Sequence, residues 1–360
     1  MKILIFHIGS LGDTLVSVPA LHVIREYFPG VRLTLLSDSQ IGKNYVGPQD
    51  ILEGSGLVDD YLSYPVDKSR AGKFLRPLRM TRLLMALRAR RFDALIYLIR
   101  TKGREPRVSR DIRFFRLAGI KKFIGTEGFV KFPKKISGRP LPAMPQVGDQ
   151  YLTRLAASGM EAPPPGKGSV DLNIGKSEEA AVNGWLARLS HDGGRQWVGF
   201  GPGSKMRVKI WPLERYEDIG YKLISRFNLW PVIFGGPEDQ NAGDALVARW
   251  RRGYVVAGKL NVRQSIDALR SCVLFLGNDT GTMHMAACAN ARCVGIFTSR
   301  DYPGHWYPYG NGHIVLRTPI ECEGCMLETC VEKKMKCIMS ISVEQVYEAC
   351  KKILIDGIDG

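Results

Sequence analysis

Apolar residues come in short runs, and polar or glycine-rich turns separate them. Lys2 to His7 (KILIFH) is a β-rich apolar run, and Gly9 to Asp13 predicts a turn. From Thr14 to Tyr27 the apolar Leu15, Val18, Leu21, Val23 and Ile24 fall close to helical spacing, and Pro29-Gly30 ends that helix. Arg32 to Ser37 reads as a second strand, Leu83 to Arg91 as the end of a helix, and Ala94 to Ile99 as another strand. Strands that alternate with helices predict βαβ units and a mostly parallel sheet with helices on both faces.

The second half repeats this grammar. Strands are expected at Trp197–Phe200, Pro231–Phe234, Val273–Gly277 and Cys293–Phe297, with helices at Leu213–Phe227, Gly281–Ala289 and Val343–Ile355. Between the halves, Glu161 to Ser169 (EAPPPGKGS) holds three consecutive prolines and then glycines, the composition of a stiff, solvated linker. The expected organisation is an α/β domain over residues 1–160, a linker at 161–175, a second α/β domain at 176–340 and a terminal helix at 341–360. Both domains are expected to be Rossmann-like. Ligands then bind beyond the carboxyl ends of the strands, where the glycines of this chain lie.

Bulk properties narrow the class. A chain of 360 residues is long for one α/β domain and comfortable for two. No apolar tract is long enough to span a bilayer, and the first apolar run breaks at Gly9 without a small-residue cleavage site, so the expected location is the cytoplasm. The net charge of +16 is concentrated. Residues Lys68 to Lys122 contain 18 Lys and Arg against three acidic residues. Such a region suits an anionic partner: nucleic acid, a phosphorylated membrane surface or a phosphorylated glycan. General basicity of a proteome is the bland alternative. The patch has little of the aromatic interleaving that single-stranded nucleic acid prefers, which disfavours nucleic acid.

Four segments could carry chemistry. In Ile8-Gly9-Ser10-Leu11-Gly12-Asp13, Gly9 and Gly12 permit close backbone approach to a ligand, and Asp13 stands at a helix start that favours its ionised form. Asp13 is either a helix cap or a base for an attacking hydroxyl. The spacing is not the G-x-G-x-x-G of a dinucleotide site, which disfavours an NAD-dependent dehydrogenase. In Gly201–Pro212 (GPGSKMRVKIWP), a glycine turn followed by Lys205, Arg207 and Lys209 forms either a phosphate cradle or a solvated basic loop. Glu238 of Gly235-Gly236-Pro237-Glu238 either accepts from a ribose diol or completes a helix start. Asn278–His284 (NDTGTMH) delivers Asp279, Thr280 and Gly281 to a helix N-terminus suited to a diphosphate, with His284 one turn on along the same side.

Of the eight cysteines, Cys272, Cys288 and Cys293 lie in apolar segments and read as buried, inert thiols, and Cys350 falls in the final helix. Cys322, Cys325, Cys330 and Cys337 form C-x2-C-x4-C-x6-C. Four thiolates meet the ligand count of a structural zinc or iron site, and free thiols are the alternative in a reducing compartment.

Together these residues resemble glycosyltransferase family 9, the bacterial lipopolysaccharide heptosyltransferases. The likeness lies in the start (KILIFHIGSLGDTLVSVPAL), K-I-W-P at 209–212, G-G-P-E at 235–238, N-D-T-G-T-M-H at 278–284 and the cysteine-bearing tail. Residues 40–160 carry little of it. The resemblance implies a GT-B fold, two Rossmann-like domains facing each other across a cleft, and inverting transfer that needs no metal or other cofactor. The donor would be a nucleotide heptose, typically ADP-heptose. It places the base on Asp13 in an acceptor-binding N-terminal domain. The phosphate-contacting lysine falls on Lys209, with Ser204 and Lys205 beside it, the adenosine-contacting acid on Glu238, and the diphosphate contacts on Asp279, Thr280, Gly281 and His284. Arg82, Arg88, Arg90, Arg91 and Arg100 would then hold a phosphorylated inner-core glycolipid and keep the enzyme peripherally at the inner membrane. Similar tail cysteines occur in the family, where metal is not a general requirement. A different nucleotide sugar, a GT-B sugar-nucleotide epimerase and an inactive anionic-glycan-binding module are the competing readings.

Overall fold

A computed structural model describes residues 1–40, 46–66, 70–100, 105–189 and 192–356. Parts of the basic stretch, residues 67–69 and 101–104, lie outside the described residues. The chain divides into two compact units, one of residues 1–133 and 147–173, the other of 134–146 and 174–360. Each is built on a parallel sheet, and the fold is mixed α/β.

In the first unit, β1 (Lys2–Phe6), β2 (Arg32–Gln40), β3 (Asp60–Val66), β4 (Ala94–Tyr97) and β5 (Lys122–Ile124) lie in the order β3-β2-β1-β4-β5. β1 is flanked in parallel by β2 (Ile5 opposite Leu35) and β4 (Ile5 opposite Ile96). Its Ile3, Leu4, Ile5 and Phe6 are all buried, which is why it reads as a continuous apolar run. The expected helix over Thr14–Tyr27 is instead two helices, Leu11–Leu15 and Val18–Tyr27. Pro19 has no N–H to offer the carbonyl of Leu15, and its ring crowds that carbonyl. Ser17 closes the break by donating its hydroxyl to Thr14 O at 2.7 Å. The long helix Arg70–Arg90 contains Pro77, whose carbonyl accepts from Thr81 Oγ1 at 3.0 Å. Its Leu83 and Leu87 join Leu4, Phe6, Leu95, Tyr97 and Phe115 in one core.

Arg154 organises the loops at the carboxyl end of this sheet. Only 3% exposed, it donates Nε to Gly125 O at 2.9 Å and one terminal nitrogen to Ile99 O at 2.9 Å. The other terminal nitrogen donates to Tyr97 O and Gly125 O. Its guanidinium lies 4.3 Å from the Phe129 ring centroid. Burial lowers its pKa to about 10, so it stays charged at neutral pH. Carbonyl dipoles and ring faces take the place of a counter-ion.

In the second unit, β6 (Trp197–Gly201), β7 (Trp230–Ile233), β8 (Tyr254–Val255), β9 (Cys272–Asn278), β10 (Cys293–Phe297) and β11 (Ile314–Arg317) run in the order β11-β10-β9-β6-β7-β8. The terminal helix Val343–Asp356 is not a separate appendage. Its Val346, Ala349, Cys350, Ile353 and Leu354 belong to the same core as Phe200, Trp211, Leu274 and Ile296. At roughly 2 kcal/mol for each large apolar side chain removed from water, that face anchors the helix. Residues 134–146 also belong to this unit. Leu141 N donates to Glu323 Oε1 at 2.6 Å, Met144 N to Pro303 O at 2.8 Å and Gln146 Nε2 to Pro308 O at 2.8 Å. Sequence spacing could not assign this segment, because its partners lie more than 150 positions away.

Replacing Arg154 by alanine strands the carbonyls of Tyr97, Ile99 and Gly125. The expected loss is about 3 kcal/mol of stability in the first unit, read as a lower urea midpoint.

Candidate functional site

In open α/β sheets, ligands bind where the strand order reverses. In the first sheet that point lies between β1 and β4, and in the second between β6 and β9. The glycine-bearing corners of this chain follow β1, β6, β7 and β9.

The corner after β1 is built around Asp13. Ser10 donates its backbone N–H (3.1 Å) and its hydroxyl (3.3 Å) to Asp13 Oδ2. Both cap contacts use that one oxygen, so capping leaves Oδ1 uncommitted among the described residues. Gly9 is required by packing: a Cβ there would stand 2.2 Å from Asp13 Cβ. Gly9 N donates to Asp38 Oδ1 at 3.0 Å, which ties the corner to β2. Gly12 lies inside the short helix, where its carbonyl accepts from Val16 N.

Behind Asp13 sits His7, 1% exposed, with Nδ1 3.2 Å from Leu98 O. That bond assigns the proton to Nδ1 and leaves Nε2 buried without a hydrogen-bond partner. Burial pushes the His7 pKa down, and the Asp13 carboxylate is the strongest opposing influence, followed by Leu98 O and Asp38. His7 and Asp38 were not singled out from sequence, because each is an unremarkable strand-end residue until the sheet pairs β1 with β2.

The basic residues do not form one cluster with Asp13. Arg100 follows β4 at the carboxyl edge of the sheet, beyond buried Leu98 and Ile99. Arg90 stands at the opposite edge, where Lys2 Nζ donates to its carbonyl at 3.4 Å, and Arg91 follows it. A crossover helix must return to the start of its next strand, so the end of the Arg70–Arg90 helix is set the length of β1 away from Asp13. Arg88 goes with that end, and Arg82 lies exposed further back along the helix. Of the five arginines, Arg100 lies at the edge that carries Asp13, and Arg82, Arg88, Arg90 and Arg91 lie away from it.

In the second unit the loops after β6 and β9 are locked together by Asn278, which is fully buried. Its Oδ1 accepts from Trp211 N at 3.2 Å and Tyr216 OH at 3.0 Å. Its Nδ2 donates to Pro202 O at 2.7 Å. One carboxamide thus connects the G-P-G turn, the I-W-P segment and the N-D-T-G corner. Lys209 Nζ lies 2.7 Å from Asp279 Oδ2, with the side chains 14% and 7% exposed. Asp279 therefore aims Lys209, and its own carboxylate would repel a phosphate. Thr280 is the N-cap of the Gly281–Cys288 helix. Ser204 Oγ accepts from Met206 N at 3.1 Å, while Lys205 and Arg207 are exposed.

Glu238 is exposed beside the glycine corner after β7. The residue that builds this corner is its neighbour Asp239, which sequence reasoning missed. Asp239 Oδ2 accepts from Gly236 N at 3.0 Å. A Cβ on Gly203 would meet Asp239 Oδ1 at 1.8 Å, and one on Gly235 would meet Oδ2 at 2.3 Å. Burial raises the Asp239 pKa, and the Gly236 N–H opposes that rise. His284 is 4% exposed, with its ring 6.1 Å from Trp306. Trp306 lies 5.4 Å from His305, whose Nδ1 is 3.3 Å from Asp301 Oδ1. The irregular 299–309 segment offers no periodicity that could have pointed to these residues.

Cys272, Cys288, Cys293 and Cys350 are buried, and burial raises the thiol pKa of Cys272, Cys293 and Cys350. Cys322, Cys325, Cys330 and Cys337 line one small pocket together with Glu323, Lys333 and Lys336. Among the described residues no three His, Cys, Asp or Glu side chains are arranged to hold a metal ion. The tail cysteines are neighbours but do not fit a zinc or iron site as placed.

Two outcomes follow. Asn278→Ala leaves Trp211 N, Tyr216 OH and Pro202 O unpaired and should cost about 3 kcal/mol, measured by thermal unfolding. For His7, the lowered pKa means that the unfolded chain takes up the proton more readily. His7 therefore favours folding fully above the ordinary histidine value of about 6.5 and progressively less as pH falls through and below it. Urea titrations across this range should show a shallower acid loss in His7→Gln than in the parent.

The model of glycosyltransferase family 9 (heptosyltransferase) matches residues 151–336. The lipooligosaccharide heptosyltransferase 2 of Haemophilus influenzae is 31% identical over 118 residues, 31% of this chain and 34% of that protein. The matched segment thus spans about a third of the curated relative's length. Two solved structures share the fold. One is the ADP-heptose lipopolysaccharide heptosyltransferase II of Escherichia coli, with TM-score 0.69, 19% identity and 99% of this chain on 100% of that one. The other is a glycosyl transferase family 9 protein of Veillonella parvula, with TM-score 0.71, 20% identity and 99% of this chain on 97% of that one. With the family model matching more than half of its length, the chain belongs to glycosyltransferase family 9, the heptosyltransferases.

Proposed function

We propose that the protein transfers a heptose from a nucleotide diphosphate donor, ADP-heptose, to a phosphorylated inner-core glycolipid, with inversion at the anomeric carbon. The observation that carries the reading is the Asn278 lock. It holds the G-P-G turn, Lys209 and the Thr280 helix start as one preorganised rim at the switch point of the second sheet. Preorganised donors at a site of developing charge are what departure of a nucleoside diphosphate needs. Family membership supports the same reading.

In this mechanism the donor diphosphate lies against the Thr280–Gly281 amides, and Lys209 neutralises the leaving phosphate. Asp279 keeps the ammonium aimed until a phosphate oxygen takes over part of its charge. Ser204 and Lys205 line the same rim, His284 with Trp306 closes the side of the helix, and Glu238 receives the ribose hydroxyls. Asp13 removes the proton from the acceptor hydroxyl as that oxygen attacks the anomeric carbon. The sugar–phosphate bond breaks on the opposite face, and the electron pair leaves on the diphosphate. Ser10 holds one Asp13 oxygen, so the other faces the acceptor proton. Neutral His7 behind Asp13 avoids a fixed cation that would weaken the carboxylate as a base. Among the five arginines, Arg100 is the one that would meet an acceptor phosphate in this reading. The glycolipid acceptor implies work at the cytoplasmic face of the inner membrane, and no helix among the described residues is long and apolar enough to cross one.

Calorimetric titration with ADP-heptose, ADP, UDP and NAD tests the donor. Selective binding of the two adenosine ligands is expected, whereas preference for UDP would discard heptose. Asp13→Asn should lower transfer about a thousandfold. Its ADP affinity should stay within about twofold of the parent. Substantial residual transfer by that variant sinks the role of Asp13. Lys209→Ala should weaken ADP binding about tenfold.

A further inference from the structure

The Arg70–Arg90 helix carries a feature that neither the donor site nor the Asp13 corner uses. Its inner face is ordinary, with Leu83 and Leu87 buried in the first unit's core. Its outer face is not. Phe74 is 85% exposed, Leu78 51% and Met85 59%. At 100° per residue these three side chains fall within about 40° of arc, so they form one stripe along the helix. Single exposed apolar residues are normal on a protein surface, but an aligned aromatic and two long aliphatic side chains are not.

The charge of the same helix is one-sided. Residues 70–90 (RAGKFLRPLRMTRLLMALRAR) contain six arginines and one lysine and no acidic residue. Of these, Arg76, Arg82, Arg88 and Arg90 are exposed, and at 100° per residue Arg82 and Arg88 stand about 40° beyond either edge of the stripe. An apolar stripe edged by cations is the composition of a helix that lies in a membrane interface. The stripe enters the acyl boundary, and the arginines meet lipid phosphates. A second copy of the chain is a poor occupant, because pairing this face with itself would bring two acid-free arginine rows together.

We propose that the outward face of the Arg70–Arg90 helix docks on an anionic lipid bilayer, with Phe74, Leu78 and Met85 inserted and the flanking arginines on lipid headgroups. This deepens the proposed function and rests on its reading of the acceptor as a membrane-held glycolipid. It names the surface that meets the membrane and adds insertion to charge attraction. Arg88, which the fold sets away from Asp13, thereby has a role as a lipid contact.

The test is co-sedimentation of the full chain with vesicles of phosphatidylcholine alone and of an equal mixture with phosphatidylglycerol, without nucleotide or saccharide. The parent should bind the mixed vesicles and not the neutral ones. The combined variant Phe74→Ser, Leu78→Ser, Met85→Ser should bind the mixed vesicles about tenfold more weakly. It should keep the parent's thermal midpoint and ADP affinity, which shows that the fold and donor site are intact. Parent protein that stays in the supernatant, or a triple variant that binds as well as the parent, overturns the proposal. So does a parent dimer that becomes monomeric in the variant, since the face would then belong to a second copy. Vesicle binding without ADP-heptose binding would remove the heptosyl reading and leave the surface standing. ADP-heptose binding without vesicle binding would do the reverse.

Discussion

The carboxamide of Asn278 is the constraint on which the second unit's functional edge depends. A strand can bring residues to a sheet edge, but it cannot fix the loops beyond its end, because they have left the ladder. Here one buried side chain uses acceptor and donor together. It accepts from the backbone of Trp211 and the hydroxyl of Tyr216, and donates to Pro202. Buried polar groups are costly unless satisfied, so a network of this kind admits one arrangement of its three segments. Lys209 and Asp279 then meet at 2.7 Å because both backbones are already in place. Asp239 does similar work on the other side, where Gly203 and Gly235 leave room for a carboxylate that any side chain would displace.

The first unit solves a related problem with charge. Asp13 is held at the corner beyond the end of a buried strand. Capping through Ser10 secures one oxygen, Gly9 admits the side chain, and Asp38 holds the turn. The surroundings contain a histidine kept neutral by burial and an arginine whose charge is spent on carbonyls. Neither is paired with Asp13 as a salt-bridge partner among the described residues.

Charge is also partitioned by position. The arginines that seem continuous in sequence are distributed by the crossover helix over two edges of a sheet and one solvent-facing helix surface. A local excess of cations therefore does not mark one binding site. Arg100 belongs to the edge that carries Asp13, whereas Arg90 and Arg91 belong to the start of β1. The helix between them combines those cations with an apolar stripe, a combination that suits lipid better than a soluble sugar.

Much of this was legible from residue order. Apolar runs ending in glycine predicted the parallel strands, and G-P-G, G-G-P-E and N-D-T-G predicted which strands end in a turn, because local propensity and turn chemistry act over a few residues. Strand β3 and the short strands β5, β8 and β11 were not legible, since they draw stability from neighbours rather than from their own pattern. Pro19 broke a helix that spacing alone drew as continuous. His7, Asp38, Asp239 and the Asp301–His305–Trp306 group acquired their roles only through pairing, burial and close approach between segments far apart in the chain. The sequence by itself determined the fold class, the family and the glycine corners that end the strands. Only the tertiary structure decided which side chain holds which, because hydrogen bonds, desolvation and steric contact act through space.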